Sequence, residues 1–380
     1  MRKTFFSLVL ILLLLPCLQC MRNVREYIVY IGTYTQESSE GIYVYRFDRR
    51  SAELIHLYTV SDVENPSFLA IDSQQRFLYA VHELNEYQGQ RTGAVRSFRI
   101  DPSTWNLDRL SEQPSFGEHP CHVAVHPQDN LVLLANYTSG SVSLFPVVDG
   151  VLQTAGDTAQ HVGSGPNLRR QKGPHAHSVT FSPDGRYVYA ADLGIDKLMI
   201  YRMDTEKGVL IPNNPQHVST SPGAGPRHMT FHPNGKYAYV INELNSTITA
   251  YRYDPQSGGL EEFQTLSTLP DTFTGNNTCA DIHTTPDGRF LYGSNRGHDS
   301  LVICKVDKKS GILSVVGRQS VLGETPRNFA VDPAGEHVLV ANQNSDSIVV
   351  FRINKRTGLL TDTGNRTKVS MPVCVKMISP

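Results

Sequence analysis

The chain lacks the features that mark several large functional classes. Its 380 residues carry 35 Lys and Arg against 36 Asp and Glu, a formal net charge of −1, so no basic surface for a nucleic acid is expected. The apolar stretch at residues 5–15 is too short to cross a bilayer as a helix. The sequence also has no glycine-rich phosphate loop, no G-x-S-x-G motif and no dinucleotide fingerprint. Nucleotide-binding and serine-hydrolase motifs are therefore absent.

Cysteine is scarce, and two of the six cysteines lie within the first twenty residues. The other four have no spacing typical of metal ligands, and the histidines are scattered without an H-x-x-x-H pair. We therefore expect no metal and no cofactor. Either the four thiols are small buried apolar groups, which is the favoured interpretation, or some of them form disulfides in an exported protein. They are Cys121, Cys279, Cys304 and Cys374.

Residues 1–20 have the composition of an export leader. Arg2 and Lys3 precede the apolar stretch, and "LPCLQC" follows it. The second cysteine, Cys20, resembles the lipidated residue of a bacterial lipoprotein signal, although Gln19 is larger than the residue usual before it. A cleavable signal and a lipoprotein-type leader both stay open. We expect an exported or lipid-anchored protein that meets the membrane only through such an anchor.

Glycine, proline and tyrosine are abundant, with 29, 22 and 17 residues, and a repeated strand–turn–strand unit accounts for much of this. The residue before the turn recurs after 54, 56, 50, 53 and 47 positions. Each unit predicts four antiparallel strands, the size of a β-propeller blade. The recurring residues are Asp72, His126, Ser182, His232, Thr285 and Asp332.

A seventh, incomplete unit opens the repeat at residues 27–48, and the tail "VSMPVCVKMISP" matches its missing innermost strand. We therefore predict an all-β fold, a seven-bladed β-propeller over residues 24–380, closed by the N- and C-terminal strands in one blade. A β-sandwich has a similar strand count but gives no reason for the period.

In a propeller, the first strand of each blade begins, and the second ends, at the same mouth of the central channel. The alignment therefore places two rings of side chains there, with a further residue after each second strand. Polar and charged side chains that converge on one concave place favour a small-molecule site. The strand-start ring is Ser67, Cys121, His177, Arg227, Ala280 and Arg327. The strand-end ring is Thr33, His82, Asn136, Asp192, Asn242, Asn295 and Asn342, and the residues after it are Tyr34, Glu83, Tyr137, Leu193, Glu243, Arg296 and Gln343.

Five stretches, in order, resemble the seven-bladed propeller lactonases typified by 6-phosphogluconolactonase. They are "HPCHVAVHPQDNLVLLANYTSGSVSLFP", "KGPHAHSVTFSPDGRYVYAADLG", "GPRHMTFHPNGKYAYVINEL", "DGRFLYGSNRGHDSL" and "ETPRNFAVDPAGEHVLVANQNSDSIVVF". The resemblance places the family's active-site histidine on His177, its two arginines on Arg227 and Arg296, and its glutamate on Glu243. It implies hydrolysis of 6-phospho-D-glucono-1,5-lactone to 6-phosphogluconate, a step of the pentose phosphate pathway. The fungal carboxymuconate lactonising enzyme shares the fold and a similar site.

These residues suit lactone hydrolysis. His177 or Glu243 is a candidate base for water, and the guanidinium groups of Arg227 and Arg296 match an anion or an oxyanion. We assign substrate binding to Asn136, Asp192, Asn242, Asn295 and Arg327, although Asn and Asp at a strand end also commonly bond the turn backbone.

The expected partner is a small-molecule lactone, and we expect a monomer. An exported protein would not meet a phosphorylated lactone made inside cells, so the leader and the resemblance point to different substrates. A muconate-type cyclase and an exported binding propeller without activity are the alternatives.

Overall fold

The computed structural model describes residues 25–204 and 207–380, so the leader predicted at residues 1–20 lies outside them. Seven antiparallel sheets account for nearly all of the regular structure, and they confirm the predicted seven-bladed β-propeller. One 3₁₀ turn, Gln343–Ser345, is the helical element of the described residues. No helix there is both long and apolar enough to span a bilayer.

Each blade has four strand positions, counted from the channel outwards. In blade 3 the outermost position is shared by two short strands, both of which pair with the third strand. The innermost strands of blades 1 to 7 are Pro372–Ile378, Leu69–Ile71, Pro120–Val125, Ala176–Phe181, Pro226–Phe231, Thr278–Thr284 and Pro326–Val331. The second strands are Glu26–Thr33, Phe77–His82, Leu131–Asn136, Tyr187–Asp192, Tyr237–Asn242, Phe290–Arg296 and His337–Asn342. The third strands are Ile42–Asp48, Ala94–Ile100, Ser141–Val148, Lys197–Asp204, Thr247–Tyr253, Ser300–Val306 and Ser347–Ile353. The outermost strands are Glu53–Val60, Leu107–Pro114, Val151–Leu152 with Asp157–Gln160, Val209–Ser219, Leu260–Ser267, Leu313–Ser320 and Leu360–Lys368.

The two ends of the described chain close the ring. Pro372–Ile378 pairs antiparallel with Glu26–Thr33, with Ile378 opposite Ile28 and Cys374 opposite Gly32. Each innermost strand also contacts the innermost strands of both neighbouring blades, all the way around the channel. The predicted closure is therefore confirmed, because the C-terminal strand completes blade 1 and with it the ring of seven blades.

The core lies between the blades. Second strands such as Leu131–Asn136 are buried at every position, because each sheet has another sheet on both faces. Such strands carry near-continuous apolar runs instead of strict alternation. One cluster, for example, joins Tyr27 and Val29 of blade 1 to Leu339 and Ile348 of blade 7.

Tyrosines of the second strands link neighbouring blades. The hydroxyl of Tyr189 donates to the carbonyl of Gly258 at 2.7 Å, and Tyr239 and Tyr292 make the equivalent bonds in the next two blades. Gly258 has a positive φ of 70°, and a Cβ there would lie 2.4 Å from the ring of Tyr187. Glycine is thus required at this turn for both its backbone conformation and its close contact with the ring.

The four cysteines of the propeller, Cys121, Cys279, Cys304 and Cys374, are buried and free. The favoured interpretation, small buried side chains, is therefore confirmed over the disulfide alternative for these residues.

Candidate active site

A cavity of about 290 Å³ lies at the mouth of the channel where the innermost strands begin. Residues of both predicted groups reach it, from the strand-start ring and from the positions just after the second strands. Its lining is Glu83, Cys121, Tyr137, Arg170, His177, Glu243, Thr278, Arg296 and Arg327.

β-bulges explain why the strand-start residues point into this mouth. In six of the seven sheets, the pairing between the innermost and second strands shifts register at this position. His177, Arg227 and Arg327 are the extra residues of three of these bulges. A bulge turns a side chain out of the regular alternation, and bulges are frequent beside active sites.

The carboxylate of Glu243 is the centre of the charged cluster. Its Oε1 accepts from Arg170 at 2.6 Å, and its Oε2 lies 2.9 Å from both Arg227 Nε and Arg296 Nη2. Burial alone would raise the pKa of Glu243, but Arg296, Arg227 and Arg170 together outweigh it and lower the pKa to about 2. Glu243 is therefore ionised at neutral pH and fully occupied by guanidinium groups.

His177 lies next to this cluster as a neutral imidazole. Its Nε2 is 3.9 Å from Glu243 Oε2, its Nδ1 is 3.7 Å from the Cys121 thiol, and the Tyr137 ring packs against it edge to face. Burial, together with Arg227, holds the pKa of His177 well below its usual value. At pH 7 the imidazole is unprotonated and can accept a proton.

A second charged group forms the opposite side of the cavity. Arg327 Nη2 donates to the Tyr34 hydroxyl at 2.8 Å, which in turn donates to Glu83 at 3.0 Å. Burial alone would lower the pKa of Arg327, because it disfavours the charged form. The nearby Tyr34 and Glu83 outweigh this effect, so the pKa of Arg327 is raised. Counting both groups, four guanidinium groups face two carboxylates, which leaves the site positively charged.

Arg227 does not line the cavity. It is 2% exposed and lies behind Glu243, where Nη1 also donates to the carbonyl of Ala280 and to His228 Nε2. Burial, with Arg296 and Arg327 nearby, lowers the pKa of Arg227 to about 10, so it stays charged at neutral pH. Its ion pair is with Glu243.

Four residues predicted to bind substrate lie outside the cavity lining. Asn136 donates to the carbonyl of Ser115 at 3.2 Å, and Asn242 bonds Thr249 at 3.0 Å. Asp192 accepts from His161 at 2.6 Å, and Asn295 accepts from Thr268 at 2.7 Å. Because successive side chains of a strand alternate in direction, the residue of the strand-end ring faces into the blade while the residue after it faces the mouth. Arg327 is the member of this set that the structure brings to the cavity.

Arg170 was missed from the sequence. It lies in the segment 161–175, the longest connection between one blade and the next, and its Nη2 also bonds the Tyr137 hydroxyl at 3.3 Å. This segment has no counterpart in the repeat, so the alignment gave it no place. Its length was the available signal, since long loops in compact domains are commonly functional.

A group of Asp332, Glu336 and His337 has the donor types and spacing to hold a cation. These atoms already have partners, because Asp332 accepts from His337 at 3.1 Å and Glu336 pairs with Arg49 at 2.6 Å and Lys355 at 2.9 Å. We infer that the group stabilises the turn, and it is separate from the cavity lining.

Comparison with known proteins agrees with this architecture. A profile of the family described as "Lactonase, 7-bladed beta-propeller" matches residues 28–377. A 6-phosphogluconolactonase from Bacillus subtilis is 42% identical over 354 residues, 93% of this chain and 99% of the relative. A 6-phosphogluconolactonase from Formosa agariphila is 35% identical over 80% of this chain and 86% of its own length. The structure of a periplasmic gluconolactonase from Pseudomonas aeruginosa superposes with a TM-score of 0.89 at 36% identity, covering 93% of this chain and all of the other. The chain belongs to the lactonase family of seven-bladed β-propellers.

Proposed function

We propose that the protein hydrolyses an anionic sugar δ-lactone of the 6-phosphogluconolactone type, with His177 as the general base. The observation that carries the proposal is that a neutral buried imidazole at the cavity lies next to a carboxylate that binds three guanidinium groups, two of which line the cavity. The Bacillus subtilis relative, a 6-phosphogluconolactonase, supports this substrate class.

The two candidate bases differ in their readiness to take a proton. The pKa of each group is lowered, so the difference between them lies in their hydrogen bonds: both oxygens of the Glu243 carboxylate already accept from arginine. His177 is unprotonated and has no strong hydrogen-bond donor at either ring nitrogen. A base that is free of competing partners accepts a proton from water more readily. We therefore assign proton transfer to His177 and positioning of the arginines to Glu243.

The charge of the site favours an anionic lactone over a neutral one. Arg170, Arg296 and Arg327 line the cavity, whereas the carboxylates of Glu243 and Glu83 do not balance all of the cationic groups. Guanidinium groups bind phosphate or carboxylate with two parallel hydrogen bonds. One arginine is thus available for the substrate's own anionic group and another for the oxyanion of the intermediate.

The proposed reaction has two steps. Water attacks the lactone carbonyl carbon while His177 takes its proton, and an arginine stabilises the oxyanion that forms. The ring carbon–oxygen bond then breaks, and the imidazolium returns the proton to the leaving ring oxygen. The products are a carboxylic acid, which ionises at neutral pH, and the free hydroxyl.

The site of action stays a prediction from the leader. The Pseudomonas aeruginosa neighbour is described as a periplasmic gluconolactonase, which supports export for this chain as well. Export would make an unphosphorylated aldonolactone the available substrate, and the assay below includes a phosphorylated and an unphosphorylated lactone.

The test follows proton release by the purified protein with 6-phosphogluconolactone and with unphosphorylated gluconolactone, and loss of ultraviolet absorbance with a carboxymuconate. We expect the phosphorylated lactone to have the highest kcat/KM, and we expect His177→Ala to lower kcat by about 10²–10⁴-fold. His217→Ala, on an outer strand away from the cavity, is the matched control and should leave kcat unchanged. Activity confined to the muconate would favour the cyclase alternative, and full activity of His177→Ala would refute the assignment of the base.

A further inference from the structure

A second ring of residues follows the strand-start ring, one position later along the chain in each blade. Its members in blades 1 to 4 are Cys374, Phe68, His122 and Ser178, and its members in blades 5 to 7 are His228, Asp281 and Asn328. A contact across the channel joins Phe68 of blade 2 to His228 of blade 5, whose ring centroids are 5.7 Å apart. This ring lies directly beneath the cavity, since His228 packs edge to face against His177.

Asp281 is a buried carboxylate at the polar side of this ring. It is 2% exposed, and its oxygens accept from His228 Nδ1 at 2.8 Å, from His283 Nε2 at 2.8 Å and from the side-chain amide of Asn328. These donors hold it in one orientation. Burial alone would raise the pKa of Asp281, but the two imidazoles outweigh it and hold the pKa well below its usual value.

The hydrogen bonds fix the tautomer of His228. A guanidinium group can only donate, so the contact of 3.2 Å between Arg227 Nη1 and His228 Nε2 requires Nε2 to accept. The proton of the neutral ring is then on Nδ1, which donates to Asp281. A carboxylate–imidazole–guanidinium chain therefore runs from the channel to Arg227, and from Arg227 Nε to Glu243 at 2.9 Å.

The scaffold itself does not require this chain. Blades 1, 2 and 4 have cysteine, phenylalanine and serine at the equivalent position. A buried carboxylate carries a desolvation cost that an apolar residue avoids. The carboxylate of Asp281 lies beneath the charged cluster, where Glu243 is the one carboxylate of the described residues that pairs directly with Arg227. This position indicates a role in the site above it.

We propose that His228 and Asp281 are positioning residues of the lactonase site: Asp281 orients His228, and His228 holds Arg227 in the plane from which its Nε fixes the Glu243 carboxylate. Neither residue touches the substrate. The kinetic consequences of this inference rest on the proposed function, whereas the contacts among Asp281, His228 and Arg227 do not.

Two amide substitutions separate the contacts of His228. In His228→Gln the side-chain oxygen takes the place of Nε2 and still accepts from Arg227. In His228→Asn the amide takes the place of Nδ1 and still reaches Asp281, but it has no acceptor near Arg227. Misplacing a supporting group can reduce the rate by about 10²-fold. We therefore expect kcat/KM to fall by about 10²-fold in His228→Asn and to stay within about tenfold of the wild type in His228→Gln.

A role limited to packing or to satisfying Asp281 predicts the reverse order, with Asn tolerated and Gln impaired, and that result would overturn the proposal. Asp281→Asn should lie between the two variants, and wild-type kinetics in this variant would remove Asp281 from the assignment. Cys374→Ser, in the same ring, keeps an acceptor for the N–H of Leu69; this variant is the control and should match the wild type. Adding His228→Asn to Arg227→Lys should cause no further loss, because residues that act through one another are not additive.

Crystal structures of the two His228 variants distinguish a failure of this inference from a failure of the proposed function. If the wild type hydrolyses no lactone, the proposed function is wrong, but the position of Arg227 can still be examined. We expect Arg227 Nε to stay at Glu243 in His228→Gln and to move away in His228→Asn. An unmoved guanidinium in both variants would overturn the positioning role.

Discussion

Replacing Glu243 with glutamine tests the charge arrangement of the site most directly. The change keeps the shape of the side chain but removes the anion shared by Arg170, Arg227 and Arg296. In the folded protein the pKa of Glu243 is lowered from 4.5 to about 2. At 1.36 kcal/mol for each pKa unit, this corresponds to about 3 kcal/mol of stability at pH 7. Removing one partner of a buried ion pair has a cost of similar size, about 3–5 kcal/mol.

The sign of the pH dependence follows from the lowered pKa. A carboxyl group with a depressed pKa contributes its full stabilisation above its unfolded value and loses it as the pH falls towards the folded value. The difference in unfolding free energy between wild type and Glu243→Gln should therefore be about 3 kcal/mol at pH 7. It should be smaller by about 1 kcal/mol at pH 4, and it should continue to fall towards pH 2.

The measurement is urea unfolding followed by circular dichroism at pH 7 and pH 4. The buffers must contain no phosphate or sulfate, because either anion could take the place of the carboxylate between the arginines. Glu118→Gln is the control, since Glu118 pairs with Arg91, whose side chain is 84% exposed. A surface pair of this kind contributes about 1 kcal/mol or less. Equal losses in the two variants, or a Glu243→Gln deficit that does not change with pH, would refute the reasoning.

Two further predictions concern the base and the ring. Burial and Arg227 lower the pKa of His177. In a pH–rate profile, kcat/KM should therefore stay constant from pH 7.5 down through 6.5 and decrease only at more acidic pH. A decrease that begins at pH 6.5 or above would contradict the assignment of His177 as the base. A chain that stops after residue 371 lacks the innermost strand of blade 1, and we expect it to lose cooperative unfolding in urea, whereas a chain that stops after residue 378 should unfold like the wild type. A cooperative transition in the shorter chain would show that the ring does not depend on this strand.

The architecture was predictable because the repeat is a local signal. Strand, turn and strand recur with glycine and proline at fixed offsets, and the incomplete first unit indicates which strand must come from the tail. The paired ends of the chain, Ile28 opposite Ile378, confirm that inference.

The site was predictable only in part, because side-chain direction at a strand end depends on the third dimension. The alignment placed His177, Glu243 and Arg296 at the mouth, and they line the cavity. It did not reveal that bulges aim the strand-start residues, nor that Asn136 and its equivalents face into their blades. The alignment also placed Arg227 in the strand-start ring, and the resemblance placed it among the active-site residues, whereas the structure puts its guanidinium behind Glu243.

Arg170 shows a different limit. Its position relative to Glu243 depends on the path of a non-repeating segment, which Gln171 anchors through bonds to Leu193 and Asp196. Neither the period nor the strand pattern carries information about such a segment.

The pairing of Glu26–Thr33 with Pro372–Ile378 has a consequence for synthesis on the ribosome. The first of these strands emerges long before its neighbour exists, so one side of it offers unpaired backbone groups while nearly all of the protein is being made. Another nascent copy, or a chaperone, can occupy that side during this interval. The yield of active protein should therefore depend on the local crowding of growing chains as well as on the stability of the finished ring.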